Sequence, residues 1–264
     1  MILLGKPVVA KIYQNLENDI RELREKKVVP SLGVVLVGED PASLSYVKMK
    51  EKIANRLGID FQLFHLPGIV PEKTVENLIQ DLNLNKYISG IIIQLPLPDN
   101  FKTEKILKKV LSAKDIDGFY GNFHPPTAQA ILEILKFYGI SLKDKKIVIV
   151  GHGRLVGKPL KKILVSQSLK PIICDFKTTN LKTLTKSADI IITATGVPAL
   201  IKPDMVNKNA VIIDAGAAEA GGKIAGDVDP IVYTKIKAYS PVPGGVGPVT
   251  VAMLMKNVVE AAKI

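Results

Sequence analysis

With 264 residues, 47% hydrophobic and 23% charged, the chain has material for one large or two ordinary globular cores, which excludes a disordered protein. Its single cysteine, Cys174, excludes an internal disulfide and suits a reducing cytoplasm, and no run of about 18 apolar residues offers a bilayer span. The net charge of +11 invites polyanions, but Lys102, Lys105, Lys108 and Lys109 are scattered along an amphipathic stretch and there is no tryptophan, so the excess reads as solvated basic surface and not as a nucleic-acid platform.

The N-terminus turns amphipathic within a few residues, which does not fit a signal peptide, and Ile12, Leu16, Ile20 and Leu23 mark one face of a first helix. The apolar run 32–37 predicts a buried strand closed by Gly38-Glu39-Asp40-Pro41. Helices are expected at about 43–57, 72–84 and 103–111, with strands at 61–64 and 90–95. After a loop over 114–126 and a helix near 127–138, a second set begins, with strands at 146–150, 171–174, 190–194 and 211–214. The glycine- and proline-rich segment SPVPGGVGP precedes a last helix over about 249–262. Strands alternating with helices predict an α/β fold of two parallel-sheet units joined near 120–128.

The strand 146–150 opens onto Gly151, Gly153 and Gly157 at the mouth of a helix, a variant of the dinucleotide fingerprint. Such a turn lets the backbone approach a pyrophosphate while the helix N-terminus offers unpaired N–H groups. A glycine loop alone is weak, since strand-to-helix turns use glycine anyway; the following strand strengthens it by ending at Asp175, where an acid meets a ribose hydroxyl. Asp175 also admits the bland reading of a solvated strand-end acid.

In the first unit Ser43, Tyr46 and Lys50 share a helix, and Tyr46 and Lys50, one turn apart, face the same way. By itself that is an ordinary surface pair. The strand 90–95 delivers Gln94 into Pro96 and Pro98, and a loop carries Asp115 and Asp117. A polar residue at the carboxyl end of an apolar strand is where open α/β sheets place ligand contacts. His65, His124 and His152 are widely spaced and no metal-ligand pattern is present, so no metal site is expected; Cys174 reads as a small core residue.

Taken in order, S-x-x-Y-x-x-x-K, Q-L-P-L-P, K-D-I-D-G-F and the segment Pro241 to Thr250 resemble the bifunctional methylenetetrahydrofolate dehydrogenase/cyclohydrolase family over almost the whole chain. The resemblance implies an N-terminal α/β folate domain over 1–123, completed by a returning helix at 248–264, and a Rossmann-like NAD(P)-binding domain over 124–247. It implies that Tyr46 stacks on the folate, Lys50 is the essential base, Gln94 holds and tunes that base, and Asp117 grips the pterin ring. Ser43, Gly247, Pro248 and Thr250 match further substrate-binding positions. Gly151, His152, Gly153, Arg154, Gly157, Asp175, Thr195, Gly196 and Ala217 match the cofactor side. The implied activity is oxidation of 5,10-methylenetetrahydrofolate followed by hydrolysis of the methenyl product, in a cytoplasmic homodimer without nucleic-acid or membrane partners. A dehydrogenase with weak cyclohydrolase activity and a non-catalytic binding protein are the alternatives; a pure binder has no need of a base at Lys50.

The departures cluster on the cofactor half. His152 and Gly153 replace an arginine and a serine of the family's loop, and Asp175-Phe176 replace its usual His-Ser or His-Arg. Gly216-Ala217-Ala218 stands for Gly-Ile-Asn, and Pro126 and Ala128 alter the loop near 120–130. The lost arginine holds the 2′-phosphate of NADP in the family, so the expected preference is NAD.

Overall fold

The computed structural model describes residues 1–220 and 223–264. The chain divides into two compact units: an N-terminal unit of Lys11–Pro126 with Leu254–Ile264, and a C-terminal unit of Met1–Ala10 with Thr127–Met253. The sequence-based division kept the first ten residues with the N-terminal unit. They instead group with the C-terminal unit: Ile2 bridges Tyr239 of its sheet, Leu3 N donates to Tyr239 O at 2.8 Å and, at the start of the first helix, Gly5 N donates to Gly244 O at 2.8 Å.

The N-terminal unit takes in most of α1 (Gly5–Glu25), then β1 (Ser31–Val37), α2 (Pro41–Leu57), β2 (Asp60–Leu66), α3 (Glu72–Leu84), β3 (Gly90–Ile93) and α4 (Thr103–Leu107). Its strands are parallel in the order β2-β1-β3. Central β1 is buried along its whole length, which is why its sequence is continuously apolar and does not alternate. Ile12, Leu16, Ile20 and Leu23 of α1 are all buried, as the 3.6-residue period requires.

Helix α2 begins earlier than its apolar pattern suggested. Asp40 caps it, its carboxylate accepting from Ser43 N at 2.7 Å, and Pro41 fills the first turn, where a missing N–H costs nothing. Strand β3 ends at Ile93, shorter than the expected 90–95. Gln94 N still donates to Val35 O at 2.9 Å, but Pro96 and Pro98 beyond it supply no donors to extend the ladder.

The C-terminal unit contains α5 (Pro126–Phe137), β4 (Ile147–Val150), α6 (Gly157–Ser166), β5 (Ile172–Cys174), α7 (Leu181–Lys186), β6 (Ile190–Thr193), β7 (Val211–Asp214), β8 (Ala218–Ala220), β9 (Lys223–Ala225), β10 (Ala238–Ser240) and the start of α8 (Val246–Ala261). Five strands run parallel in the order β10-β7-β6-β4-β5, and β8 pairs with β9 as a separate antiparallel ribbon. The chain leaves β4 to one side for β5 and returns to the other for β6, so the switch point lies beside β4. Cys174 is fully buried within this core. Strands β8, β9 and β10, of three residues each, are too short to show a period in the sequence. Among the described residues no helix is long and apolar enough to cross a membrane.

Candidate active site and dinucleotide loop

In the N-terminal unit the carboxyl ends of β1 and β3 face the start of α2. Lys50 Nζ donates to Gln94 Oε1 at 3.0 Å, and Gln94 Nε2 donates to Leu95 O at 2.6 Å. The second bond fixes the amide's orientation: with nitrogen committed to a carbonyl, the oxygen must face the lysine. Ser43 Oγ lies 3.5 Å from the same Leu95 carbonyl, a long contact in which the hydroxyl donates. Tyr46, one turn before Lys50, is exposed.

Burial pulls the Lys50 amine below the usual lysine range, and the charge of Asp117 opposes that fall. Burial pushes Asp117 up to about 6 against the pull of Lys50, with neighbouring Asp115 adding to the rise. The shifts of the amine and the carboxyl thus run toward each other, which marks the pair as a candidate site.

Asp115 and Asp117 have different tasks. Asp115, 4% exposed, accepts from Gly118 N at 3.1 Å, Tyr120 N at 2.7 Å and Gly121 N at 2.8 Å. It organises the loop, whereas Asp117 meets Lys50 electrostatically. A residue that the sequence reading missed completes the support. Asn257 of α8, buried, donates from Nδ2 to Ile116 O at 2.7 Å and to His124 O at 3.1 Å. A signal was present: in the mostly apolar segment VTVAMLMKNVV, an asparagine on the buried side of the helix must find partners for its amide.

In the C-terminal unit the glycine loop joins β4 to α6. Gly151 N donates to Cys174 O at 2.8 Å, which ties the loop to the end of β5 and hence to Asp175. A Cβ on Gly157 would lie 1.9 Å from Gly151 O, and one on Gly151 would lie 2.4 Å from Ala194 O, so both glycines serve close backbone approach. Gly153 is different: a Cβ there would meet nothing within 4 Å, and its backbone faces open space. Helix α6 starts at Gly157 without a side-chain cap, with Lys158 N donating to Gly153 O at 3.0 Å and Pro159 carrying no N–H, so what its first turn offers an incoming anion is the positive end of the helix. This loop suits a dinucleotide pyrophosphate.

Asp175 is exposed, and one carboxylate oxygen, Oδ1, accepts from Lys177 N at 3.0 Å. Lys177 Nζ lies 5.6 Å from the centre of the exposed Phe176 ring. His152 and Arg154 are half-buried. Thr195 N donates to Asp227 Oδ2 at 2.6 Å, Gly196 is exposed with φ +70°, and Ala217 is exposed at the start of the segment leading to β8. At the start of α8, Gly247 and Pro248 are exposed and Thr250 Oγ1 donates to Val246 O at 3.2 Å. The structure therefore brings Ser43, Lys50, Gln94 and Asp117 together in one unit. It places the glycine loop and Asp175 together in the other, with Gly247, Pro248 and Thr250 also in that second unit.

A parallel sheet with a glycine loop at its switch point, in a chain whose other unit holds a half-buried lysine bonded to a strand-end glutamine, defines a dinucleotide-binding enzyme with a separate catalytic unit. The chain belongs to the tetrahydrofolate dehydrogenase/cyclohydrolase family: the family's catalytic domain matches residues 3–117 and its NAD(P)-binding domain matches residues 125–264. The chain is similar to the bifunctional protein FolD of a Nitratiruptor species, with 41% identity covering 99% of this chain and 98% of that one. The crystal structure of the bifunctional FolD dehydrogenase/cyclohydrolase from Campylobacter jejuni superposes with a TM-score of 0.96 at 38% identity, covering 100% and 98% of the two chains. The Trypanosoma brucei enzyme, complexed with NADP cofactor and inhibitor, gives 0.92 at 28% identity over 100% and 97%.

Proposed function

We propose that this chain oxidises 5,10-methylenetetrahydrofolate to 5,10-methenyltetrahydrofolate with NAD(P)+ and hydrolyses that product to 10-formyltetrahydrofolate. The observation that carries the reading is the bond between Lys50 Nζ and Gln94 Oε1 beside Asp117. When bound, the nicotinamide accepts the hydride from the one-carbon bridge; the protein's task in that step is to orient the folate. Tyr46 offers a ring for stacking, and Asp117 offers two acceptor oxygens for the pterin edge.

Hydrolysis asks more of the side chains. Water adds to the methenyl carbon and must lose a proton beside a cationic ring system. Lys50, with its amine already depressed by burial, takes that proton in its neutral form. The ammonium so formed is held by the Gln94 carbonyl and by the charge of Asp117. Collapse of the adduct breaks the bond to N5 and leaves the formyl group on N10, with one proton released overall. Ser43, Gly247, Pro248 and Thr250 are assigned to the substrate; Gly151, His152, Gly153, Arg154, Gly157, Asp175, Thr195, Gly196 and Ala217 to the dinucleotide.

The preferred dinucleotide in this proposal is NAD. Asp175, at the end of β5 and tied to the glycine loop, can accept from ribose hydroxyls and repels a 2′-phosphate, and His152 supplies no permanent cation. The proposal also includes a homodimer and a cytoplasmic location, as the family resemblance implies. Mixing the purified protein with methylenetetrahydrofolate and either nucleotide, and following methenyl absorbance, tests the central reading: the signal should rise and then decay, and no rise with either nucleotide contradicts it.

A further inference from the structure

Two buried carboxylates in the C-terminal unit lie outside every role assigned so far. Asp214, fully buried at the end of β7, accepts from Thr193 Oγ1 at 3.0 Å, Gly216 N at 2.9 Å and Asp227 N at 3.2 Å through Oδ1. Through Oδ2 it accepts from Val228 N at 3.1 Å and the Tyr233 hydroxyl at 3.3 Å. Asp214 is thus a saturated structural node. Asp227, 1% exposed, is not saturated. Its Oδ2 accepts from Thr195 N at 2.6 Å, while Oδ1 is buried and has no hydrogen-bond partner among the described residues. That second oxygen is pressed toward the Gly216 backbone, where an added Cβ would come within 2.1 Å of it.

Burying a carboxylate with an unpaired oxygen beside another carboxylate is unfavourable, so a purely structural anchor is poorly served by it; a threonine or asparagine would bind one N–H at lower cost. What the carboxylate does achieve is geometric. The loops that follow adjacent strands β6 and β7 leave the carboxyl edge of the sheet at Thr195 and Gly216, and Asp227 is bonded to the first and in contact with the second. Its own backbone N–H is fixed to Asp214, which also holds Gly216 N. One side chain therefore sets the separation of two loops at the edge where an open parallel sheet receives its ligand.

We infer that Asp227 is a positioning residue for dinucleotide binding, setting the Thr195 and Gly216 loops at the spacing a bound dinucleotide requires and taking no part in methenyl hydrolysis. This rests on the reading that Thr195, Gly196 and Ala217 contact the dinucleotide.

The test compares Asp227→Ala, Asp227→Asn and Gly196→Phe in the full-length enzyme, measuring nucleotide KM and kcat, methenyl hydrolysis without nucleotide, and melting temperature. Asp227→Ala should raise nucleotide KM about tenfold or more and leave hydrolysis within about twofold. Asp227→Asn, whose amide oxygen can still accept from Thr195 N, should recover KM to within about threefold of the wild type. Should Asp227→Ala not fold, Gly216→Ala carries the same expectation, because its methyl displaces the carboxylate without removing it. An unchanged KM, an equal loss of both activities, or no recovery in Asp227→Asn overturns the inference. Gly196→Phe separates the two levels: if it raises KM while Asp227→Ala does not, the loop reading stands and the role of Asp227 falls. If Gly196→Phe leaves KM unchanged, the loop reading itself falls.

Discussion

Asn257 donates one amide nitrogen to the carbonyls of Ile116 and His124, so a side chain near the end of the chain clasps both flanks of the loop that carries Asp117. Asn257→Ala leaves two carbonyls without that donor in a buried setting, a cost of about 1–3 kcal/mol. The expected result is a lower melting temperature together with a raised folate KM and an unchanged nucleotide KM. Equal changes in the two KM values would show that the clasp serves the fold in general and not the Asp117 loop.

Asp115 and Asp117 should separate cleanly by mutation. Asp115→Ala strips acceptors from three backbone N–H groups and should lower the melting temperature by about 5 °C or more. Asp117→Asn should do the opposite in one pH window. Its folded pKa of about 6 stands above the ordinary 3.8, so the native state binds the extra proton. The stability due to that proton is fully present below about pH 4 and lost as pH rises through about 6, amounting to no more than about 3 kcal/mol. Denaturant titrations at pH 4, 6 and 8 should show this loss in the wild type and a flatter profile in Asp117→Asn; parallel profiles would mean that Asp117 does not titrate as described.

The alternation of apolar strands with amphipathic helices was legible because β1, β4, β6 and β7 are buried on both faces and read as unbroken apolar runs. The short strands β8 to β10 carry no period and were missed. So was the docking of residues 1–3 on β10, since a single bridge at Ile2 and two backbone bonds with Tyr239 leave no mark on side-chain pattern. Lys50 and Gln94 were legible through their motifs, whose 44-residue separation no periodicity could have joined. Asn257 and Asp227 bond to backbone groups 32 or more residues away, and Asp214 gathers partners from several segments, so no local pattern pointed to those partners.

The glycine loop gives a contrast within a single turn. Gly157→Ala forces a methyl against Gly151 O and should destabilise the fold and abolish dehydrogenase activity. Gly153→Ala meets nothing, so the protein should keep its melting temperature within about 2 °C while nucleotide KM rises several-fold. A Gly153→Ala enzyme with unchanged KM would place the pyrophosphate elsewhere.

For cofactor choice, kcat/KM with NAD should exceed that with NADP, and Asp175→Ser combined with His152→Arg should move the preference toward NADP. A wild-type advantage for NADP of about tenfold or more contradicts the preference, and an unmoved ratio in the double variant would show that Asp175 does not face the ribose.

In the proposed mechanism the Lys50 amine, lowered by burial and held by Gln94, is the base for methenyl hydrolysis. The most direct measurement of that role is the decay of added 5,10-methenyltetrahydrofolate at neutral pH, corrected for the uncatalysed rate, by wild type and by Lys50→Met. The wild type should catalyse the decay and the variant should lose at least about 100-fold, with folate binding retained and the melting temperature near that of the wild type. Hydrolysis by Lys50→Met within a few-fold of the wild type would contradict the role of Lys50 as the base.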